Sequence, residues 1–349
     1  MKAAVFYGPN QALDESSRRL KIEEWQTPTI KPHEVLIKVA ACGVCHTDLH
    51  YIDHGVPTFK KPPLILGHEP SGIVTQAGSE VKNFKEGDRV LLPAVLTCGS
   101  CEYCRTGREN ICMTMTMFGN NVDGAYAEYV AAPAKDIFHL PKEIPLEEGA
   151  IIADATSTPY HAVKNRAEVR GGDSVVVFGC GGIGINVVQV AAAFGGIVIA
   201  VDISDKKLEW AKKFGAVYTV NPTKVENVGK EIKKLTGGGA DIAIEAIGKP
   251  QTIEAAFGTL RKGGRLVIVG YSTEDIKLSA AKIMYFEMEV RGSLGCRPVD
   301  YPKLIELCRI GKIKVAELVT HKFPLEQIND AFDLFRSHDE NALRSIVVP

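Results

Sequence analysis

Hydrophobic and polar residues follow two different patterns along the 349-residue chain. In roughly the first 150 residues, short β-branched and apolar runs are separated by proline, glycine and other turn residues. Runs of this length between turn residues predict strands, and therefore a mostly β domain. The clearest runs are residues 35–39, 72–75, 88–92 and 128–130.

Beyond about residue 155, apolar strands alternate with helical stretches. This alternation predicts βαβ units and a parallel, doubly wound sheet. The tail contains two helical segments and a strand-like run at 344–349, and we expect it to return to the first domain. Strands are predicted at residues 174–178, 197–201, 217–220, 241–245, 265–269 and 289–294, and helices near 183–194, 205–214 and 250–261.

The length of the chain exceeds what one ordinary core accommodates, so we expect two domains. The first spans residues 1–156 and is completed by 295–349, and the second spans 157–294. Apolar residues make up 45% of the chain and charged residues 24%, which is typical of a globular protein. A net charge of −1 argues against a nucleic acid or an anionic membrane as the main partner.

The chain shows no pattern of a signal peptide, because Gly8 and Pro9 interrupt the apolar start. Residues 174–201 carry no charge and are long enough to span a membrane. Six glycines, together with Asn186 and Gln189, interrupt that stretch. We interpret it instead as a strand, a tight turn, a helix and a second strand. Because no signal-peptide pattern precedes the cysteines, we expect them to be metal ligands in a reducing cytoplasm and not disulfides.

A glycine-rich turn follows the first predicted strand of the second domain. Gly179, Gly181, Gly182 and Gly184 permit a tight turn, a close approach to a pyrophosphate and the packing of a helix on a strand. Asp202 ends the next strand, where a carboxylate accepts hydrogen bonds from ribose hydroxyls and repels a 2′-phosphate. These features predict a dinucleotide site that favours NAD over NADP. The alternative is a structural glycine turn with Asp202 as a helix cap.

Four of the nine cysteines lie within fifteen residues. Four thiolates in a short loop match a closed, tetrahedral zinc site that supports structure rather than chemistry. An iron–sulfur cluster also uses four thiolates, but its usual spacings differ. We therefore predict a structural zinc site at Cys98, Cys101, Cys104 and Cys112.

A second group of metal-ligand residue types occurs in residues 42–50 and 67–69. Cys42 and Cys45 form a C-x-x-C pair, which is also the pattern of a redox site. The sequence alone leaves open which of these groups bind a metal. Three histidines, spaced so that they share one helical face, add to the ambiguity: His46, His50 and His54.

The chain resembles the zinc-dependent medium-chain alcohol dehydrogenases over essentially its whole length. The resemblance rests on residues 43–48 and 67–69, the cysteine loop and the glycine turn, which occur in the same order and spacing. It implies a GroES-like catalytic domain, a Rossmann domain, two Zn²⁺ ions per chain and NAD. The length is similar to that of the microbial, typically tetrameric branch, which implies a homotetramer or a dimer.

The resemblance implies that Cys45 and His68 bind a catalytic zinc ion, with Glu69 beside the metal and exchanging with water in its shell. Asp48 then orients His68 through the second ring nitrogen, and Cys42 becomes a buried strand-end residue. The usual third ligand of the family is a cysteine, and here that position is Asp154. A carboxylate is a suitable zinc ligand, although a helix-capping aspartate is the alternative.

The resemblance also implies Lewis-acid activation of the substrate oxygen and hydride transfer to the nicotinamide. Thr47 and His50 correspond to a proton relay that runs through the nicotinamide ribose, and the alternatives are a turn residue and a surface histidine. Other matched positions imply contacts with the cofactor. His46 and Arg344 correspond to residues that contact the pyrophosphate. Lys207 corresponds to a contact with the adenosine ribose, and Thr158 to a contact with the nicotinamide ring.

The substrate pocket is less clearly indicated. Ala94 stands where many relatives carry a bulky aromatic residue, which suggests room for secondary, branched or cyclic alcohols. Phe118, Tyr51 and Leu294 either line this pocket or belong to the core. A cyclic hydroxyacyl thioester is an alternative substrate.

Two other functions compete with an alcohol dehydrogenase. The C-x-x-C pair is consistent with a non-catalytic, dinucleotide-binding redox sensor. Metal-free quinone or enoyl reductases share the fold, but they lack the cysteine loop and the Cys/His pair that are present here.

By resemblance, we expect residues 289–294 to extend the sheet across a two-fold axis of the oligomer.

Overall fold

The computed structural model describes residues 1–9, 20–337 and 339–349. The chain divides into two compact units. Unit 1 contains Met1–Ala155 and Arg297–Pro349, and unit 2 contains Thr156–Cys296. Unit 1 is therefore built from two separate stretches of the chain, whereas unit 2 is continuous.

The described residues form eighteen strands and ten α-helices. The strands are β1 (Lys2–Phe6), β2 (Lys21–Glu24), β3 (Glu34–Gly43), β4 (Leu64–Ile65), β5 (Pro70–Ala77), β6 (Arg89–Leu91), β7 (Val95–Leu96), β8 (Thr116–Met117), β9 (Tyr129–Pro133), β10 (Phe138–His139), β11 (Ser174–Phe178), β12 (Ile197–Val201), β13 (Tyr218–Val220), β14 (Ala240–Glu245), β15 (Leu260–Ile268), β16 (Glu289–Gly292), β17 (Val319–Pro324) and β18 (Arg344–Val348). The helices are α1 (His46–Ile52), α2 (Glu102–Arg105), α3 (Ser157–His161), α4 (Gly184–Ala193), α5 (Asp205–Lys213), α6 (Val228–Thr236), α7 (Pro250–Gly258), α8 (Ala280–Tyr285), α9 (Tyr301–Arg309) and α10 (Ile328–Arg336).

Unit 1 is rich in β-structure. Its largest sheet has the order β10-β6-β5-β3-β18-β17, and β9 also pairs with β3. Along the first half of β3, the buried residues Val35, Ile37 and Val39 alternate with more exposed ones, as expected for a strand with one face on the core. The strand β18 pairs with β3 so that Ile346 lies opposite Gly43. This pairing places residues from the second stretch of unit 1 beside the end of β3.

Unit 2 contains a six-stranded sheet of order β13-β12-β11-β14-β15-β16. Every neighbouring pair is parallel. The strand order reverses next to β11, and ligands of such sheets bind at the carboxyl ends of the strands at this point. The predicted doubly wound parallel sheet is therefore confirmed.

The charge-free segment 174–201 forms β11, α4 and β12. Among the described residues, no helix is long and apolar enough to cross a membrane. The helix α6 is an addition to the sequence analysis, which identified no helix there. It is polar and lysine-rich, and it begins at an Asn227 side chain that accepts a hydrogen bond from the Lys230 backbone N–H.

Candidate active site

Four side chains with metal-ligating atoms meet within unit 1. Cys45 directly precedes α1, His68 and Glu69 lie in the connection between β4 and β5, and Asp154 follows a short 3₁₀ helix at Glu148–Ile152. One ligand atom from each lies within 4.8 Å of the others. The fold thus brings together residues from three separate segments of the chain.

The spacing of these atoms fits a single metal ion. The His68 Nε2 and Asp154 Oδ2 atoms are 3.7 Å apart. Two ligands of one tetrahedral zinc ion lie about 3.3–3.8 Å from each other, because each is about 2.0–2.3 Å from the metal. A buried Glu69 oxygen, Oε1, also has no hydrogen-bond partner in the part of the chain that the structure describes. The donor set of thiol, imidazole and carboxylate suits zinc.

Electrostatics at this cluster also favour a cation. Burial lowers the pKa of His68, but the nearby Cys45 sulfur and the Asp48 and Asp154 carboxylates outweigh it and raise that pKa well above its ordinary value. Burial raises the pKa of Glu69, and the Arg344 guanidinium opposes this shift. The site therefore concentrates negative charge in a buried place, where a divalent cation compensates it.

Asp48 lies behind His68. Its Oδ1 atom faces His68 Nδ1 at 3.7 Å. Its Oδ2 atom accepts hydrogen bonds from the Tyr126 hydroxyl at 2.8 Å and from the Cys45 backbone N–H at 3.4 Å. The carboxylate is therefore held from one side while its other oxygen points at the imidazole.

A buried ion pair joins Glu69 to Arg344 of β18. A Cβ atom at Gly43 would lie 2.1 Å from Glu69 Oε2, so the absence of a side chain at the end of β3 makes room for this carboxylate. The family resemblance implies that Arg344 contacts the cofactor pyrophosphate, and the structure adds Glu69 as a direct partner. The two residues are 275 positions apart, and no sequence signal connects them.

The four-cysteine loop is also folded around a common centre. The Sγ–Sγ distances are 3.8 Å for Cys98–Cys104, 3.5 Å for Cys101–Cys104 and 3.8 Å for Cys101–Cys112. Sulfur ligands of one tetrahedral zinc ion are about 3.8 Å apart, because each Zn–S bond is about 2.3 Å. Hydrogen bonds from the Ser100 and Cys101 backbone N–H groups lower the pKa of Cys98 to about 5. This loop can hold a metal without further residues.

In unit 2, the glycine turn connects β11 to α4. Gly179 has a φ of +88°, which favours glycine, and a Cβ atom at Gly184 would lie 1.7 Å from the Gly179 carbonyl oxygen. A Cβ atom at Gly181 would meet nothing within 4 Å. The Gly182 carbonyl accepts a hydrogen bond from the Asn186 side chain inside α4. The turn is tight on its inner side and open at Gly181.

Asp202 follows β12 beside this turn. Its carboxylate accepts hydrogen bonds from the Cys180 backbone N–H at 2.7 Å and the Ser204 backbone N–H at 2.9 Å. Lys207 lies in the first turn of α5, where its N–H donates to the Ser204 hydroxyl. An aspartate tied to the glycine turn at a strand end is the arrangement that dinucleotide sites use for ribose.

Comparisons with known proteins agree with this geometry. Residues 31–142 match the family described as alcohol dehydrogenase GroES-like domain, and residues 182–309 match zinc-binding dehydrogenase. An alcohol dehydrogenase from Geobacillus stearothermophilus is 37% identical over 95% of both chains. A sorbitol dehydrogenase from Bacillus subtilis is 36% identical over 100% of this chain and 97% of its own. A solved structure of an NAD-dependent alcohol dehydrogenase has a TM-score of 0.91 at 30% identity, with full coverage of both chains.

The chain belongs to the zinc-dependent medium-chain alcohol dehydrogenase family. It is an NAD-dependent zinc alcohol dehydrogenase with a GroES-like and a Rossmann-type domain, as the sequence analysis expected. The comparisons do not favour the redox sensor or the thioester dehydrogenase.

The residues matched to the proton relay of the family lie on or near α1. The Thr47 hydroxyl is 3.6 Å from the Cys45 sulfur. The Nδ1 atoms of His50 and His54 are 3.0 Å apart, and burial together with His54 lowers the pKa of His50. The His46 ring is exposed and packs against Phe335 at 4.6 Å between centroids.

The cysteines outside the two metal clusters are buried, and none of the nine cysteines forms a disulfide. Cys42 lies on β3 opposite Val347. Burial raises the pKa of the Cys42 thiol well above its ordinary value. A thiol of this kind is a poor nucleophile, which disfavours a Cys42–Cys45 redox pair in this dehydrogenase.

The residues considered for the substrate pocket differ in their surroundings. Phe118 and Tyr51 are buried in the core of unit 1, and Leu294 of unit 2 is half exposed. The Ala94 carbonyl accepts a hydrogen bond from the Phe118 backbone N–H. Thr158, matched to a nicotinamide contact, is buried in α3 of unit 2.

Proposed function

We propose that this chain oxidises secondary or polyhydroxy alcohols with NAD and reduces the corresponding carbonyl compounds with NADH. Unit 1 serves as the catalytic domain and unit 2 as the dinucleotide-binding domain. One observation carries this proposal. Ligand atoms of Cys45, His68 and Asp154, together with one of Glu69, lie within 4.8 Å of one another, close enough to bind a single metal ion.

Cys45, His68 and Asp154 hold the catalytic zinc ion, and Cys98, Cys101, Cys104 and Cys112 hold the structural one. When bound, the catalytic ion supplies Lewis-acid polarisation of the substrate oxygen. Asp48 keeps the His68 ring in the orientation that presents Nε2. Glu69, whose charge is balanced by Arg344, supplies a further carboxylate at the edge of the cluster. This carboxylate can exchange with water as a ligand of the ion.

Thr47 and His50 move the alcohol proton away from the buried site. The Thr47 hydroxyl lies beside the Cys45 sulfur, within reach of a group bound there. His50 is partly buried with a lowered pKa, so its ring is neutral near pH 7 and accepts a proton. His54 adjoins it on the exposed side.

Unit 2 binds NAD at the carboxyl end of its sheet. The open face at Gly181 admits the pyrophosphate, and the Asp202 carboxylate receives the ribose hydroxyls. The fixed charge of Asp202 disfavours a 2′-phosphate. Further cofactor contacts are proposed on the strength of the family match alone, at His46, Arg344, Lys207 and Thr158.

The proposed substrate class rests on two observations. A curated relative that matches the whole chain is a sorbitol dehydrogenase. By the family resemblance, Ala94 stands where many relatives carry a bulky aromatic residue, which favours a roomier pocket. Both support substrates with carbon on each side of the carbinol centre.

A substrate panel with metal analysis tests this function. Primary, secondary, branched, cyclic and polyhydroxy alcohols are offered with NAD, and NADH absorbance is followed while the zinc content is measured. We expect about two zinc ions per chain and the highest kcat/KM with a secondary or polyhydroxy alcohol. Zinc-replete protein that reduces NAD with none of these alcohols contradicts the proposal.

We also propose that the chain forms a homotetramer, or a dimer, in the cytoplasm. In the described part of unit 2, β16 lies at the edge of the sheet with Val290 partly exposed, which supports pairing with β16 of a second copy. None of the nine cysteines forms a disulfide, which supports a reducing compartment. Sedimentation analysis at micromolar concentration tests the assembly, and a monomer contradicts it.

A further inference from the structure

Tyr126 is a buried residue to which the proposed reaction gives no role. Its hydroxyl lies 2.8 Å from Asp48 Oδ2 and 3.0 Å from the Gly43 carbonyl oxygen. Both neighbours are acceptors, and the carboxylate is closer and charged, so the phenolic proton is shared mainly with Asp48. Burial raises the pKa of Tyr126 well above its ordinary value, so the hydroxyl remains a donor.

The backbone of Tyr126 is tied to the segment that carries His68. The Tyr126 N–H donates to the Leu66 carbonyl oxygen, and the Ala125 N–H donates to the Gly67 carbonyl oxygen. The aromatic ring lies on Gly67, where a Cβ atom would be 2.9 Å from two ring carbons. An edge-to-face contact with Phe332 holds the ring from another direction. Tyr126 therefore has little freedom to move relative to His68.

Asp48 depends on this hydroxyl. The carboxylate is fully buried, and among the described residues it accepts one hydrogen bond from Tyr126 and a longer one of 3.4 Å from the Cys45 backbone N–H. Both reach Oδ2, which leaves Oδ1 facing His68 Nδ1. Without the phenolic donor, this buried carboxylate is poorly satisfied and is free to rotate away from His68.

We propose that Tyr126 is a positioning residue for the catalytic metal, because its hydroxyl fixes the Asp48 carboxylate that aligns the ligand His68. This inference rests on the proposed function, in which Cys45, His68 and Asp154 hold zinc. The chain of contacts runs from the phenol to the carboxylate and then to the imidazole. Each member comes from a different part of unit 1, so the metal site is aligned by the domain fold and not by α1 alone.

The test is Tyr126→Phe, which keeps the ring on Gly67 and removes only the hydroxyl. Zinc release to a chelating dye is followed over time in the full-length protein. Changes in the outer partners of a metal ligand typically alter affinity or activity by about 10–100-fold, so we expect release of the catalytic zinc to become about tenfold faster. The zinc of the four-cysteine loop is an internal reference and keeps its release rate. KM for NAD is expected to stay unchanged while kcat falls.

Tyr7→Phe is the matched control. The Tyr7 hydroxyl also donates to a carboxylate of unit 1, Glu23 at 2.6 Å, but on the surface. This control is expected to release both zinc ions as the wild type does. A double-mutant cycle with Asp48→Asn adds a second criterion, because Tyr126→Phe is expected to have little further effect once Asp48 is altered.

The outcomes separate this inference from the proposed function. A wild-type protein that holds zinc only in the four-cysteine loop contradicts the proposed function itself. The role of Tyr126 is overturned if the wild-type protein holds two zinc ions and the Tyr126→Phe variant releases both at the wild-type rates. Additive effects in the cycle, or a variant that fails to fold although its ring is retained, also overturn a role exerted through Asp48.

Discussion

By the family resemblance, Asp154 stands at the position where a zinc-binding cysteine is usual. The carboxylate lies 3.7 Å from His68 Nε2 and belongs to the cluster around Cys45. Oxygen is a harder donor than sulfur, so a site with one thiolate accepts a wider range of divalent metals than a site with two. If Asp154 is a ligand, its carboxylate therefore broadens the range of divalent metals that the site accepts.

Replacing Asp154 by alanine removes one of three proposed protein ligands. We expect the zinc content to fall from about two ions per chain to about one, and kcat/KM to fall by about 100-fold or more. Asp154→Cys is the matched control, since it restores an anionic ligand, and it is expected to retain both ions. Metal analysis and NADH formation measure the effect. Full zinc content in Asp154→Ala contradicts ligation by this residue.

Asp202 is the residue expected to select the cofactor. Asp202→Asn keeps an oxygen that accepts the backbone N–H of Cys180 but removes the charge. Two like charges a few ångströms apart repel by up to a few kcal/mol, so we expect the kcat/KM ratio of NADP to NAD to rise by at least about tenfold. An unchanged ratio means that another residue excludes the 2′-phosphate.

The glycine turn between β11 and α4 shows how one element serves two purposes. Its inner glycine, Gly184, touches the Gly179 carbonyl oxygen and has no room for a side chain. At its outer glycine, Gly181, an added Cβ atom would meet nothing within 4 Å among the described residues. The first glycine is required by the fold, and the second leaves space for a ligand.

Alanine substitutions distinguish these two roles. Gly184→Ala forces the helix away from the strand, and we expect it to destabilise the protein by about 1–3 kcal/mol. Gly181→Ala is expected to leave the melting temperature unchanged and to weaken NADH binding, because its methyl group enters the cofactor space. Thermal melts and NADH titrations measure both. Equal effects of the two variants on stability contradict this assignment.

The four-cysteine loop is an element with little regular structure, since α2 has only four residues and none of them is buried. A metal ion held by the four cysteines would therefore supply the order that packing does not. We expect Cys112→Ser to lose one zinc ion and to lower the melting temperature by several degrees, since about 1 kcal/mol corresponds to about 2–4 °C in domains of this size. A variant with both ions and an unchanged melting temperature shows that Cys112 is not a ligand.

At the scale of the whole molecule, the sequence predicted features that arise from neighbouring segments. The strands and helices around the glycine turn, and Asp202 beside it, belong to one βαβ unit, so periodicity and turn residues sufficed. The contact of Tyr126 with Asp48 spans 78 positions, and that of Arg344 with Glu69 spans 275. Such contacts depend on sheet topology, which residue patterns do not encode. The placement of Asp154 in a metal cluster was reached through family resemblance alone.

The position of β18 also bears on how the protein is made. Unit 2 is continuous, so all its strands are synthesised before translation reaches residue 297. Unit 1 cannot complete its largest sheet, or supply Arg344 as the counter-charge of Glu69, until β18 has been synthesised. Until then, the Glu69 carboxylate lacks its cationic partner. In a nascent chain, the strands of unit 2 are therefore complete before the ion pair between Glu69 and Arg344 can form.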